Sequence, residues 1–110
     1  MSRDETHIIN SFNEFVYAVV NKPGMYRVNN IEDLGLVIFG YIAGVARSGT
    51  ISGLNEFMNN FRRFVNEHFD TTVDYDWERL IRFHAGGNVG SLELFKILFD
   101  RYIENVEKGQ

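Results

Sequence analysis

The sequence of 110 residues contains no cysteine. Disulfides, thiolate nucleophiles and cysteine-ligated zinc or iron–sulfur centres are therefore excluded from its chemistry. The absence of cysteine is compatible with the reducing cytosol, where disulfides are rare. The first seven residues carry no apolar run after their first basic side chain, so we expect no signal peptide. Both observations favour a cytoplasmic protein.

Long apolar runs are also missing. The longest one, Leu34–Ala46, is thirteen residues long and includes three glycines. A membrane-spanning helix needs about twenty apolar residues. We therefore expect a buried core helix at this position and no membrane partner.

The chain has no large charge of one sign. Fifteen acidic and eleven basic side chains give a net charge of −4. This sign disfavours general nucleic-acid binding, which depends on neutralising phosphates, and mildly favours a basic protein partner. The alternative is that the charge only keeps the protein soluble.

Aromatic side chains, in contrast, are abundant: ten Phe, five Tyr and one Trp. A chain of this length buries about two-thirds of its unfolded surface, so we expect it to fold without a metal or another staple. No repeat or linker divides the sequence, which predicts a single helical domain over residues 1–110. The sequence does not show whether all the aromatic surface is buried within one subunit, so a homodimer remains an alternative to a monomer.

Apolar residues recur with the spacing of one helical face, which predicts an all-α fold. Five helices are expected, over about residues 5–20, 31–46, 53–69, 77–85 and 92–106. The expected N-caps are Asn30, Ser52, Asp74 or Asp76, and Ser91. Short connections favour antiparallel neighbours in a compact bundle. Helix two is apolar on nearly every side, so we expect it to be central.

Three further expectations concern local structure. Gly40 and Gly44 lie on one face of helix two and predict the close approach of a neighbouring helix. The segment Gly86–Ser91 predicts a flexible connection, because a phosphate-binding loop would need a lysine before its serine. As an alternative to purely helical structure, residues 25–30 and 71–75 pair as a small two-stranded ribbon.

Three motifs are more specific than a periodic pattern. They are Asn21–Tyr26, Ile31–Leu34 and Phe39–Gly44. On these motifs, over roughly residues 10–80, the chain resembles small helical bacterial proteins encoded beside secreted toxins, such as the immunity proteins of contact-dependent growth inhibition systems. The resemblance implies a cytoplasmic immunity protein that neutralises the toxin domain of a neighbouring secreted effector. We expect this toxin domain to be a nuclease. Since such proteins differ in the surface they use, it assigns no binding residue.

One segment combines carboxylates with large aromatic side chains. The candidate partner-binding residues are Asp70, Asp74, Tyr75, Asp76, Trp77 and Glu78. Carboxylates can fill a basic cleft built for phosphate, and opposite charge speeds encounter. Tyrosine and tryptophan are enriched among interface hot spots. The alternative is structural: an aspartate caps helix four, Glu78 complements its dipole, and Trp77 lies in the core.

The remaining polar residues show no catalytic or metal-binding pattern. His7, His68 and His84 fall on three different predicted helices without the spacing of metal ligands, and we expect a packing role for His84. The serines lie in loops or caps without a nucleophile motif. We therefore expect no enzyme, no metal site and no cofactor.

Four arginines, Arg62, Arg63, Arg79 and Arg82, form the one basic concentration. If helices three and four bring these arginines together, the alternative function is that of a small regulatory or nucleic-acid-associated module. Such a module could act as a dimer. Nearby acidic residues instead favour solvated ion pairs. The preferred hypothesis is thus an immunity protein that occludes the active site of a basic toxin domain.

Overall fold

A computed structural model describes residues 3–49 and 52–109, with the backbone alone for residues 3 and 4. Its elements are α1 (Arg3–Asn21), a 3-10 turn (Pro23–Tyr26), α2 (Ile31–Arg47), α3 (Leu54–His68), α4 (Trp77–Ala85) and α5 (Asn88–Lys108). The all-α prediction is confirmed, and all five expected helices are present. The described residues contain no β-strand, so the ribbon alternative is wrong.

The start of α2 follows the capping chemistry expected from the sequence. The Asn30 side chain accepts a hydrogen bond of 2.8 Å from the Asp33 amide, and the Asp33 carboxylate accepts one of 3.0 Å from the Asn29 amide. This reciprocal arrangement satisfies amides that have no partner within the helix. Glu32 and Asp33 lie in the first turn and Arg47 in the last, where each charge complements the helix dipole.

The N-cap of α3 is Gly53 and not the predicted Ser52, which lies one residue before it. Gly53 has a positive φ of 70°, and the Ser52 hydroxyl accepts a hydrogen bond of 3.2 Å from the Leu54 amide. Asp76 stands at the N-cap position of α4, but its side chain makes no capping hydrogen bond there. The Asp76 carboxylate therefore does not cap α4 through a hydrogen bond, which was the structural alternative to partner binding.

Helix α5 begins earlier than the sequence indicates. Ser91 is buried inside its first turn and donates to the Gly87 carbonyl at 2.7 Å, so it is not the N-cap. The expected flexible connection is likewise wrong, because Asn88 already belongs to the helix. At Gly90, a Cβ atom would lie 3.0 Å from the Ala85 carbonyl oxygen. A side chain at this position would force the Ala85 carbonyl to shift, so glycine permits the close contact between α4 and α5.

An aromatic cluster joins α3, α4 and α5. The Phe61 ring is completely buried, and its centroid lies 5.3–5.6 Å from four other ring centroids. Those rings belong to Trp77, Phe95, Phe99 and Tyr102. The Tyr102 hydroxyl donates to the Phe57 carbonyl at 2.6 Å, and burial raises the pKa of Tyr102 to about 12. The centre of the core thus lies among these three helices.

One side of helix α2 packs against this core, and the opposite side of the helix is exposed. Ile31, Leu34 and Ile38 are buried, whereas the side chains of Leu36 and Phe39 are 70% and 71% exposed. This position differs from the central one that the sequence predicts. The apolar composition of α2 predicts burial on all sides, and the fold buries only one of them.

The expected role of the glycines in α2 is also corrected. A Cβ atom at Gly40 or Gly44 would meet nothing within 4 Å, so neither glycine permits a close approach within the subunit. The close approach occurs at Gly35 instead, where a Cβ atom would lie 2.8 Å from Oε1 of Glu78. Gly35 thereby leaves room for the Glu78 side chain between α2 and α4.

Candidate functional site

Residues 70–76, here called the acidic loop, connect α3 to α4 and are held in place by Asn66. The Asn66 side-chain nitrogen donates to the Tyr75 carbonyl at 2.9 Å and more weakly to Asp74 at 3.4 Å. Its side-chain oxygen accepts from the Thr71 hydroxyl at 2.7 Å and from the Tyr75 amide at 3.0 Å. One side chain therefore ties both ends of the loop to α3.

The acidic loop directs most of the predicted contact residues outward. Asp70, Asp74 and Asp76 are exposed, and the Tyr75 ring is 38% exposed beside them. Asp74 forms an ion pair of 3.4 Å with Arg62 of α3. Because these two side chains are 41% and 65% exposed, such a pair contributes at most about 1 kcal/mol. The carboxylate can exchange this partner for another at little cost.

The backbone at Asp70 has an unusual conformation. Its φ is 52°, in the left-handed region that glycine adopts without strain. Its amide donates to the Glu67 carbonyl at 3.1 Å and closes the end of α3. Aspartate tolerates this conformation better than most residues do. A charged side chain thus stands at a position where glycine would be the less strained choice.

The last two predicted residues lie apart from the exposed carboxylates. Trp77 is only 7% exposed and packs against Phe61 and Phe95, which fits the core position that the sequence left open. Glu78 is half-buried against Gly35 of α2. Its burial, and then the negative charges of Asp76 and Glu32, raise its pKa, although a backbone hydrogen bond acts in the opposite direction.

Two open grooves flank the segment. A groove of about 440 Å³ separates the acidic loop from α3, and both acidic and basic side chains line it. A second groove of about 610 Å³ runs between α2 and α4. Its lining residues are Glu32, Gly35, Leu36, Phe39, Asp76, Glu78, Arg79 and Arg82. Asp76 is the loop carboxylate that borders this second groove.

The fold divides the four arginines between these grooves. Arg62 and Arg63 line the first, and Arg79 and Arg82 line the second. Arg82 forms an ion pair of 3.0 Å with Glu32, as Arg62 does with Asp74 at 3.4 Å. These partners come from other elements, not from the helical neighbours that the sequence suggests. The four arginines therefore do not all line one groove.

Two of the three histidines, His68 and His84, take part in aromatic packing. The His84 ring stacks on Phe69 with centroids 3.9 Å apart and an interplanar angle of 5°, and the His68 ring meets the edge of Phe69 at 4.8 Å. Within residues 3–49 and 52–109, no three histidine or acidic side chains come together as a group that could hold a metal ion. None of the helices described has both the length and the apolar character needed to cross a membrane.

Sequence reasoning missed two features of this region. Asn66 lies in the middle of a polar helix face, and nothing in its local sequence marks it as the residue that orders a loop. The exposure of Leu36 and Phe39 was missed as well, because the apolar residues around them in the sequence indicate a buried helix.

Comparison with protein-family models, with curated proteins and with solved structures finds no match for this chain.

Proposed function

We propose that this chain is an immunity protein: a binding protein that neutralises the toxin domain of a neighbouring secreted effector in the bacterial cytoplasm. It acts by occlusion and not by catalysis. The acidic loop inserts into the basic active site of the toxin. A nuclease is the class of toxin that fits this best, because its active site binds phosphate. The observation that supports this most is an outward, carboxylate-rich loop that internal hydrogen bonds already hold in one conformation.

The order of the loop matters because binding normally costs conformational entropy. Each immobilised side chain and each ordered loop residue reduces the affinity that contacts provide. Here Asn66 holds the loop before the partner arrives. Carboxylates fixed at defined positions then attract a basic cleft and set the orientation of the complex.

The direct contacts in this proposal come from Asp70, Asp74, Tyr75 and Asp76. Tyr75 supplies aromatic area with a hydroxyl at its tip, a combination favoured in interface centres. Trp77 supports the loop from beneath through its packing on the core. Glu78 borders the site from the groove between α2 and α4.

The proposal is tested by capture of partners from the native bacterium with the chain as bait. Two variants are compared with the wild type. The first replaces Asp70, Asp74 and Asp76 with asparagine, which preserves shape and removes three charges. The matched control replaces the exposed Glu14, Glu93 and Glu104 with glutamine, which removes the same charge elsewhere.

We expect the wild type and the control to retain the C-terminal part of a secreted protein encoded nearby, and to inhibit its purified toxic activity. The loop variant should lose at least about tenfold in affinity, because close charge pairs across interfaces couple strongly. Equal affinity for all three proteins would refute the loop as the contact site. A captured partner whose toxic activity stays uninhibited would refute the immunity function itself.

A further inference from the structure

The outward side of α2, here called the α2 face, is a helix surface that the fold leaves uncovered. Its residues are Glu32, Leu36, Phe39, Gly40, Ala43 and Arg47, which recur every three or four positions and so share one side of the helix. Leu36 and Phe39 are 70% and 71% exposed. An apolar face bounded by charges is a typical feature of protein interfaces.

We infer that the α2 face binds the α2 face of a second copy of this chain, with the two helices antiparallel about a two-fold axis. A two-fold interface uses the same patch on both subunits, so that patch must complement itself. The proposal does not depend on the immunity function, because it requires no partner other than the chain itself.

Charge is the first element of this self-complementarity. The α2 face carries acidic Glu32 at its N-terminal end and basic Arg47 at its C-terminal end. Antiparallel pairing places Glu32 of each copy opposite Arg47 of the other and also opposes the two helix dipoles. Arg47 is exposed and has no ion-pair partner among the described residues. Glu32 uses only Oε1 for Arg82, so its second oxygen is available.

Side-chain size is the second element. In antiparallel helices, positions equally distant from the axis oppose each other. When Glu32 faces Arg47 of the second copy, Leu36 faces Ala43 and Phe39 faces Gly40. Each large apolar side chain thus meets a small residue. The space above Gly40 is open, since a Cβ atom there would meet nothing within 4 Å, and a phenyl ring from the second copy can occupy it.

The size of the α2 face sets the expected strength of the dimer. If a side chain of this kind has roughly 200 Å² to bury, Leu36 and Phe39 together offer roughly 300 Å² per copy. Stable complexes bury about 800 Å² per partner. The α2 face with its charged ends falls below that size, so we expect a weak dimer that dissociates on dilution into the low micromolar range.

Sedimentation velocity over about 1 µM to 1 mM tests the proposal. The wild type should pass from monomer to dimer within this range. The variant Leu36→Ser/Phe39→Ser should stay monomeric throughout. The matched control is Phe83→Ser/Val89→Ser, because these two side chains are 80% and 73% exposed and lie outside the α2 face. Its dimerisation should equal that of the wild type, and circular dichroism should show the same helical content for all proteins.

A charge exchange tests the antiparallel orientation. Arg47→Glu and Glu32→Lys should each weaken self-association by roughly three- to tenfold, because each places two like charges together at both ends of the dimer. An equimolar mixture of the two variants should recover dimers, since both ends then carry opposite charges.

Three results would overturn the proposal. A wild type that stays monomeric up to the highest concentration would exclude the second copy and leave the face for a different protein. A dimer that survives Leu36→Ser/Phe39→Ser would place the interface elsewhere. Failure of the mixed charge variants to associate better than either variant alone would exclude the antiparallel pairing.

Discussion

The order of the acidic loop should depend on the single side chain of Asn66. Replacing Asn66 with alanine removes hydrogen bonds of 2.7–3.0 Å to Thr71, to both backbone groups of Tyr75 and to the Arg62 carbonyl. Each such bond contributes about 0.5–1.5 kcal/mol. Because the Tyr75 groups are exposed and regain water, we take the lower end of that range for each of the four bonds, which gives a loss of about 2 kcal/mol.

Denaturant unfolding measures this loss of free energy, and thermal unfolding should show a decrease in midpoint of about 8 °C for a domain of this size. The more specific readout is hydrogen exchange at the Tyr75 amide, which donates to the Asn66 side chain at 3.0 Å. That amide should exchange much faster in the variant, while amides of the Phe61 turn in α3 keep their protection until global unfolding.

Asn66→Asp is the matched control, because it keeps the shape and both acceptor bonds. It should retain protection at Tyr75 but place a carboxylate near Asp74 and two carbonyls, so its stability should fall between wild type and Asn66→Ala. An unfolding free energy within about 0.5 kcal/mol of the wild type for Asn66→Ala, with unchanged exchange at Tyr75, would refute the reasoning. The loop would then owe its order to its own turns and not to Asn66.

Three further predictions concern the core, the glycines and pH. Phe61→Ala should cost about 3–5 kcal/mol, because its ring is completely buried; chemical denaturation would contradict this with a change below about 1 kcal/mol. Gly44→Ala should stabilise α2 by about 0.5–1 kcal/mol, since nothing lies within 4 Å of the new methyl group. Gly90→Ala should instead destabilise the protein, because its methyl group would lie 3.0 Å from a backbone carbonyl oxygen. Shifts of the thermal unfolding midpoint in the same direction for both variants would be incompatible with this packing. The raised pKa of Glu78 means that its carboxyl binds a proton more tightly in the folded than in the unfolded state, so it stabilises the fold below its ordinary pKa of 4.5 and this contribution is lost as pH rises through the folded value. The free energy of unfolding of the wild type relative to Glu78→Gln should therefore decrease from acid towards neutral pH, and a difference that is constant over this interval would argue against the burial of Glu78.

Much of the fold was accessible from local sequence patterns. The period of apolar residues and the cap at Asn30 predicted α2 to within one residue at its end, and α4 was predicted over its observed range, Trp77–Ala85. These features depend on backbone hydrogen bonding and on neighbours within one turn. The start of α5 was not predictable, since Gly90 looks like a helix breaker until Ala85 of α4 is seen beside it.

The candidate site shows the same division. The sequence by itself determined that carboxylates and a tyrosine concentrate at residues 70–78, because composition requires no knowledge of contacts. Only the tertiary structure decided that Trp77 supports the loop from the core, that Asn66 holds it, and that Leu36 and Phe39 remain outside. Burial and long-range hydrogen bonds depend on which helices meet and at what distance. A single sequence encodes that outcome only through the packing of the whole chain, and one helical face therefore reads the same whether its own subunit or another molecule covers it.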